Sequence, residues 1–191
     1  MDRELIERAQ SGDREAFALI VDGSFDRCYE IARRVLGESH LAQDATQTAM
    51  LSIWRDLPKL RDGARFDAWS YRITVNACYA EAKRARKALP SVTPGDGHLV
   101  TDEYGTVIDR DRLERAFSRQ KLEHRAVIVL RYYLDMPVEE VAATLDIPTG
   151  TAKSRIHHAL QAMRAAIDAD DRPPTGGSPA MNDLPASPMT R

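Results

Sequence analysis

From about Ile6 to Lys87, apolar residues return every three or four positions, a helical period. Leu41, Ala45, Ala49, Ile53 and Leu57 form one such stripe. Strand-type alternation is absent over any useful length. The pattern then fails from Ala88 to Val107, where Pro90, Pro94, Gly95, Gly97 and Gly105 fall and no Lys or Arg occurs. Helical spacing resumes at about Ile108 and runs to about Ala169. Beyond Arg172, Pro173, Pro174, Pro179, Pro185 and Pro188 make up half of the 10 prolines, a composition that predicts disorder. The expectation is an all-α chain of two small helical domains, 1–87 and 108–169. A flexible acidic linker (88–107) joins them and a Pro-rich tail (170–191) follows. Fully extended, the linker spans roughly 65 Å at about 3.3 Å per residue, so the domains could act on distant sites.

Within the second domain, Met136–Ile167 reads as two helices and a tight turn. Pro137 suits a first turn, where a missing N–H costs nothing, and Glu139 and Glu140 suit the positive end of a helix. Val138, Val141, Ala142 and Leu145 make an apolar face. Asp146, Ile147, Pro148 and Gly150 break the helix, and Thr149 or Thr151 caps the next one. Ile156, Leu160, Met163 and Ile167 then share one side, while Lys153, Ser154, His157, Gln161 and Arg164 share the other. A short helix, a turn and a longer helix describe a helix-turn-helix, whose second helix enters the DNA major groove. No acidic residue occurs between Pro148 and Ile167, whereas Lys153, Arg155 and Arg164 are cationic. A merely solvated face usually mixes both signs. The neighbours His157 and His158 diverge on a helix and do not chelate as an i, i+4 pair would.

The segment Arg65–Lys87 carries a second face. Trp69, Ile73, Ala77 and Ala80 occupy one arc; Arg72, Asn76, Tyr79, Lys83 and Arg86 occupy its neighbour. Cations, an amide and an aromatic together suit single-stranded DNA, whose phosphates and base faces need different partners. Lys83, Arg84, Arg86 and Lys87 either bind phosphate or complement the negative end of their own helix. Phe66 and Trp69 add aromatic surface, though Trp69 itself suits the core, where large aromatics mostly lie. In the preceding helix, Asp44, Gln47 and Thr48 form a polar i, i+3, i+4 set among small alanines, which suits docking but also an ordinary solvated helix.

Composition narrows the function classes. Hydrophobic residues make up 43% of 191, enough for packed cores, and the net charge of −2 leaves charge placement to carry any nucleic-acid argument. No run approaches the roughly 18 apolar residues of a membrane span, and the charged N-terminus lacks a signal core. The expected location is therefore cytoplasmic, without membrane insertion. Cys28 and Cys78 read as buried thiols; no Cys/His spacing suits a metal, and no cofactor is expected.

The blocks GDREAF, AQDATQTAMLSIWRDL, FDAWSYRITVNACYAEAKRARK and EHRAVIVLRYYLDMPVEEVAATLDIPTGTAKSRIHHALQAMR, in that order, resemble bacterial RNA polymerase sigma factors of the sigma-70 family, extracytoplasmic-function (ECF) subfamily. The resemblance implies a sigma region 2 domain that binds core RNA polymerase and the promoter −10 element. It implies a region 4 domain for the −35 element and the polymerase flap. By position, Asp44 and Gln47, with Thr48 beside them, would touch the polymerase clamp. Arg61 to Phe66 with Asn76 would shape a pocket for a flipped −10 base, and Arg72, Tyr79, Lys83, Arg84 and Arg86 would extend that surface. Thr151, Lys153, Ser154, Arg155, His157 and His158 would face the −35 groove. The partners implied are core polymerase and promoter DNA, and an anti-sigma factor is a further candidate. Such a protein confers promoter recognition and DNA melting, and is not an enzyme.

Two other readings compete. A stand-alone helix-turn-helix regulator accounts for 136–167 but leaves the Arg65–Lys87 face unused. A nucleic-acid enzyme needs clustered carboxylates or a nucleophile with a base, and the acidic residues are scattered.

Overall fold

The computed structural model describes residues 1–88 and 107–170. The linker between them, with Asp96, Asp102 and Glu103, and the tail from Asp171 lie outside the described residues. All described elements are helical, as the apolar spacing predicts. The first module holds α1 (Arg3–Gln10), α2 (Arg14–Leu36), α3 (Ser39–Asp56) and α4 (Phe66–Ala88). The second holds α5 (Val107–Ser118), α6 (Leu122–Ile128), α7 (Val138–Leu145) and α8 (Thr149–Asp170).

Local chemistry sets the ends. The Asp13 carboxylate accepts from the N–H groups of Glu15 and Ala16, both at 3.0 Å, and starts α2. These bonds, and then Arg8 at 2.7 Å, hold that carboxyl below its usual range. Gly37 ends α2 in the left-handed region (φ 81°), donating to the Arg33 carbonyl at 2.8 Å. Asp146 ends α7 in the same region (φ 57°), a conformation that Asp tolerates better than most side chains. α6 runs into a wider turn at Val129–Tyr133, where Leu134 N–H reaches back five residues to Val129 at 3.1 Å. Nothing in the apolar spacing marks that turn.

Several details differ from the sequence expectation. Pro137 precedes α7 rather than opening it, and its carbonyl accepts from Glu140 and Val141 at 3.0 and 2.9 Å. α8 already includes Thr149, and the Pro148 carbonyl accepts its first bonds, so neither threonine caps it. On α4 the buried residues are Phe66, Ser70, Thr74, Val75, Ala77, Cys78 and Glu81, and Ala80 is exposed. Small hydroxyl residues can line this face because each bonds along its own helix: Thr74 donates to the Ser70 carbonyl at 2.9 Å. On α8, Ala152 and Ala159 are buried while Leu160 is exposed. Cys28 and Cys78 are free, buried thiols; burial pushes Cys78 up to about 12.

The largest difference concerns the two modules. One core, around Ile6, Ile20, Ile53 and Phe66, belongs to the first module alone. A second cluster joins Ile31, Val35, Ala45 and Cys78 to Ala126 and Val129 of α6. A third, around Val127, Leu130, Val141 and Ile156, has Ala68 and Tyr71 of α4 packed against it. The modules that the sequence presents as separable are packed together. A helical unit of this size has a small core of its own, and α2 and α4 cover further apolar side chains of it.

Candidate nucleic-acid interface

The connection between α3 and α4 is held from a distance. Gln10 Nε2 donates to the carbonyls of Leu57 and Leu60 at 3.0 and 2.7 Å. The Asp62 carboxylate accepts from Ala64 N–H at 3.0 Å, shaping the turn Gly63–Arg65. A Cβ on Gly63 would sit 3.6 Å from Ile6, so α1 backs this turn. Arg61 is thereby presented to solvent just before α4. Gln10 ties down this connection, and nothing in the apolar spacing selects it; its signal is geometric.

Along α4, Arg72, Asn76, Lys83, Arg84 and Arg86 are exposed. Arg84 also pairs with the buried Glu81 at 2.8 Å, which fixes its direction. Phe66 requires a correction. It is 1% exposed and packs in the first core, so it has no surface to offer a base; its role is to anchor the start of α4. Tyr79 is half-buried, and burial pushes its phenol up to about 12, with Arg155 opposing the shift and Glu123 adding to it.

On α8, Lys153, Ser154, His157 and His158 are exposed, while Thr151 and Arg155 are partly buried. The rings of His157 and His158 lie 5.7 Å apart edge to face. Lys153 Nζ is 3.8 Å from Glu139 on α7, and both groups face solvent. Asp44 and Gln47 are exposed on the outer face of α3, and Thr48 is partly so. One turn on, Leu51 is 70% exposed, and Trp54, edge-on to Phe17 at 4.5 Å, is also open. The sequence reading missed these two. Apolar residues standing outside an otherwise consistent helical stripe are the signal that finds them.

Among the described residues, no group of three or more His, Cys, Asp and Glu is placed to hold a metal ion. No helix among them is long and apolar enough to cross a membrane.

A helix-turn-helix on one module and a cationic helix face on the other define a nucleic-acid-binding protein of all-helical class. Comparison with known proteins specifies it. Residues 25–88 match the model of sigma-70 region 2, and residues 122–165 match that of sigma-70 region 4. The ECF RNA polymerase sigma factor SigM of Mycobacterium tuberculosis is 34% identical over 154 residues, covering 81% of this chain and 78% of that protein. SigW of Bacillus subtilis, also an ECF sigma factor, is 29% identical over 184 residues, covering 87% and 97%. Among solved structures, the sigma factor RpoE from Bartonella quintana, crystallised with the anti-sigma factor NepR, shares the fold with a TM-score of 0.68 at 19% identity, covering 82% of this chain and 98% of that one. The chain belongs to the ECF sigma factors of the sigma-70 family. It is a promoter-recognising factor of transcription initiation.

Proposed function

We propose a division of labour in which the first module (1–87) docks on the polymerase clamp and opens the −10 element, while the second (108–169) reads the −35 element. The docking face is Asp44, Gln47 and Thr48, extended by Leu51. Arg61, Arg72, Asn76, Tyr79, Lys83, Arg84 and Arg86 form the −10 face; Thr151, Lys153, Ser154, Arg155, His157 and His158 form the −35 face. The observation that carries this reading is two cationic faces on two modules, one of them a helix-turn-helix, beside a third face that exposes Leu51 to solvent.

The mechanism follows from weak sites used together. A single DNA-binding module covers only about 600–1,000 Å². Two such modules tethered to one polymerase gain by effective concentration. The −10 face then favours an unpaired strand, against an unstacking cost of about a few kcal/mol per flipped base. The chain itself makes and breaks no covalent bond in this reading, and it works in the cytoplasm. An anti-sigma factor, like the one crystallised with RpoE, is a further partner of the proposal.

The test is transcription in vitro from a promoter of the native host. Initiation at the promoter is expected with core polymerase plus this chain, and none with either alone. Specific initiation by core alone, or footprints of equal strength by the free chain without polymerase, would replace this reading with that of a stand-alone regulator.

A further inference from the structure

A cavity of about 370 Å³ lies between α2 and α4, and it shares no residue with the faces proposed for polymerase and DNA. Gly23, Ser24 and Arg27 of α2 and Asp67, Ser70 and Tyr71 of α4 line it. Small-molecule sites span about 300–1,000 Å³, so its size suits a small ligand. It carries one guanidinium and one carboxylate, and they do not pair with each other. Among the described residues, the Asp67 carboxylate meets only the Met1 ammonium, at 3.6 Å. Arg27 has no carboxylate partner among them and acts instead on the Tyr71 phenol.

The rest of the lining decides what could sit between these charges. The Ser24 hydroxyl donates to the Ile20 carbonyl at 2.6 Å, and the Ser70 hydroxyl donates to the Asp67 carbonyl at 2.8 Å. Each hydroxyl hydrogen is thereby engaged, and each oxygen is left to accept from a ligand. The cavity thus offers acceptors to an ammonium and a forked donor to a carboxylate. Burial, and then Asp67, hold the Tyr71 phenol above its usual range, so its ring is a neutral wall. Gly23 has no side chain, and a Cβ there would stand 3.5 Å from the Met1 methyl group, which leaves that wall open to an aliphatic group. Asp22 and Asp26, exposed beside Gly23 and Arg27, disfavour an occupant that carries phosphate. A purely anionic ligand would face Asp67, and a purely cationic one would face Arg27. A ligand with both charges meets neither conflict.

We propose that this cavity binds a free α-amino acid, its carboxylate on Arg27 and its ammonium on Asp67 and the two serine hydroxyls. A short unbranched side chain would lie against Gly23 and the Tyr71 ring. The Met1 ammonium is the group that the ligand displaces from Asp67 or shares it with. Both charged side chains are open to water, so the affinity is modest, with a Kd on the order of 0.1–1 mM. The site is independent of the roles given above to the polymerase and DNA faces.

The experiment titrates the isotope-labelled full chain with glycine, L-alanine and L-methionine, each alone, and follows the backbone amide resonances. Saturable shifts centred on Gly23, Ser24, Ser70 and Tyr71 are expected with at least one of the three. For that amino acid, the methyl ester lacks the anionic carboxylate and the α-hydroxy acid lacks the ammonium. Each should bind about tenfold more weakly, because each loses one charge-assisted contact. Arg27→Gln should weaken the amino acid by a similar factor and leave the ester unaffected, and Asp67→Asn should do the same while leaving the hydroxy acid unaffected. The amide spectrum itself reports whether each variant is folded; if Asp67→Asn disturbs it widely, Arg27→Gln decides. No saturable shift with any of the three up to roughly 10 mM overturns the proposal. So does an ester or hydroxy acid that binds as well as the amino acid, or an Arg27→Gln chain that binds it as the wild type does.

Discussion

Helices α3 and α4 pack side by side in the first module, yet they meet solvent differently. The outer face of α3 presents Asp44, Gln47 and Leu51 with nothing laid over them among the described residues. The polar face of α4 has Arg72 tied to Asp146 and Tyr79 sealed at its hydroxyl. Composition decides what each face could bind. Its availability is decided by which other element needs a place to bury apolar side chains, and here that element brings Ala126 and Val129. Among the described residues the α3 face is open, whereas the polar face of α4 is partly covered by the second module.

The sharpest test of where the α4 surface begins is Phe66→Ala. Phe66 fills the first core, so its loss should destabilise the first module by about 3–5 kcal/mol, the usual cost of removing a buried aromatic. Urea unfolding should show the midpoint falling accordingly. A variant of wild-type stability with impaired promoter opening would return Phe66 to the DNA face and break the distinction between anchor and surface.

Leu51→Asp probes the open face. Leu51 is 70% exposed, so the fold should hold within about 0.5 kcal/mol. Binding to core polymerase should weaken roughly tenfold, about 1.4 kcal/mol, if the side chain is an apolar anchor at the dock. Pull-down of core polymerase with titrated variant reads this directly. Unchanged binding would remove the α3 face from the docking surface and leave its exposed leucine unexplained.

These two residues show where the sequence was legible. Helix positions followed from apolar spacing, and the helix-turn-helix from a break at Asp146–Pro148 followed by a cationic stretch. The exposed residues of α8 and α4 were legible because charge cannot be buried without a partner. Phe66 and the buried face of α4 were not. An aromatic flanked by Arg65 and Asp67 looks like surface, and Ser70 and Thr74 look polar, until their bonds along the helix are seen. The seam between the modules was illegible for a different reason. A short run such as Ala126 to Leu130 shows that a helix is apolar on several sides, without showing that one of those sides belongs to another module.

A smaller effect concerns the face proposed for the −35 element. Lys153 is exposed and lies 3.8 Å from Glu139, away from the ties that hold the seam. Lys153→Ala should lower affinity for a −35 duplex by roughly threefold to tenfold. It should also flatten the salt dependence by about one phosphate's worth, a slope change near 0.9. Fluorescence anisotropy across a salt series provides the slope. An unaltered slope would take Lys153 off the phosphates.

The smallest effect expected is a pH dependence at the base of the second module. Burial, and then Lys121, hold the His124 imidazole below its ordinary value; His158 and Arg155 of α8 push the same way, and Glu123 opposes them. The folded state therefore favours neutral His124, and the unfolded chain binds the proton more readily. As pH falls through about 6.5, the ordinary value, the unfolded chain takes up that proton first and the contribution of His124 to stability is lost. Above that range the contribution is complete and flat. The group is only partly buried, so the loss is modest. Comparison with His124→Gln isolates it: urea midpoints at pH 7.5 and 5.5 should drop further for wild type than for the variant. Equal drops would mean that water reaches the imidazole as freely folded as unfolded, and that α8 does not shield this side of α6.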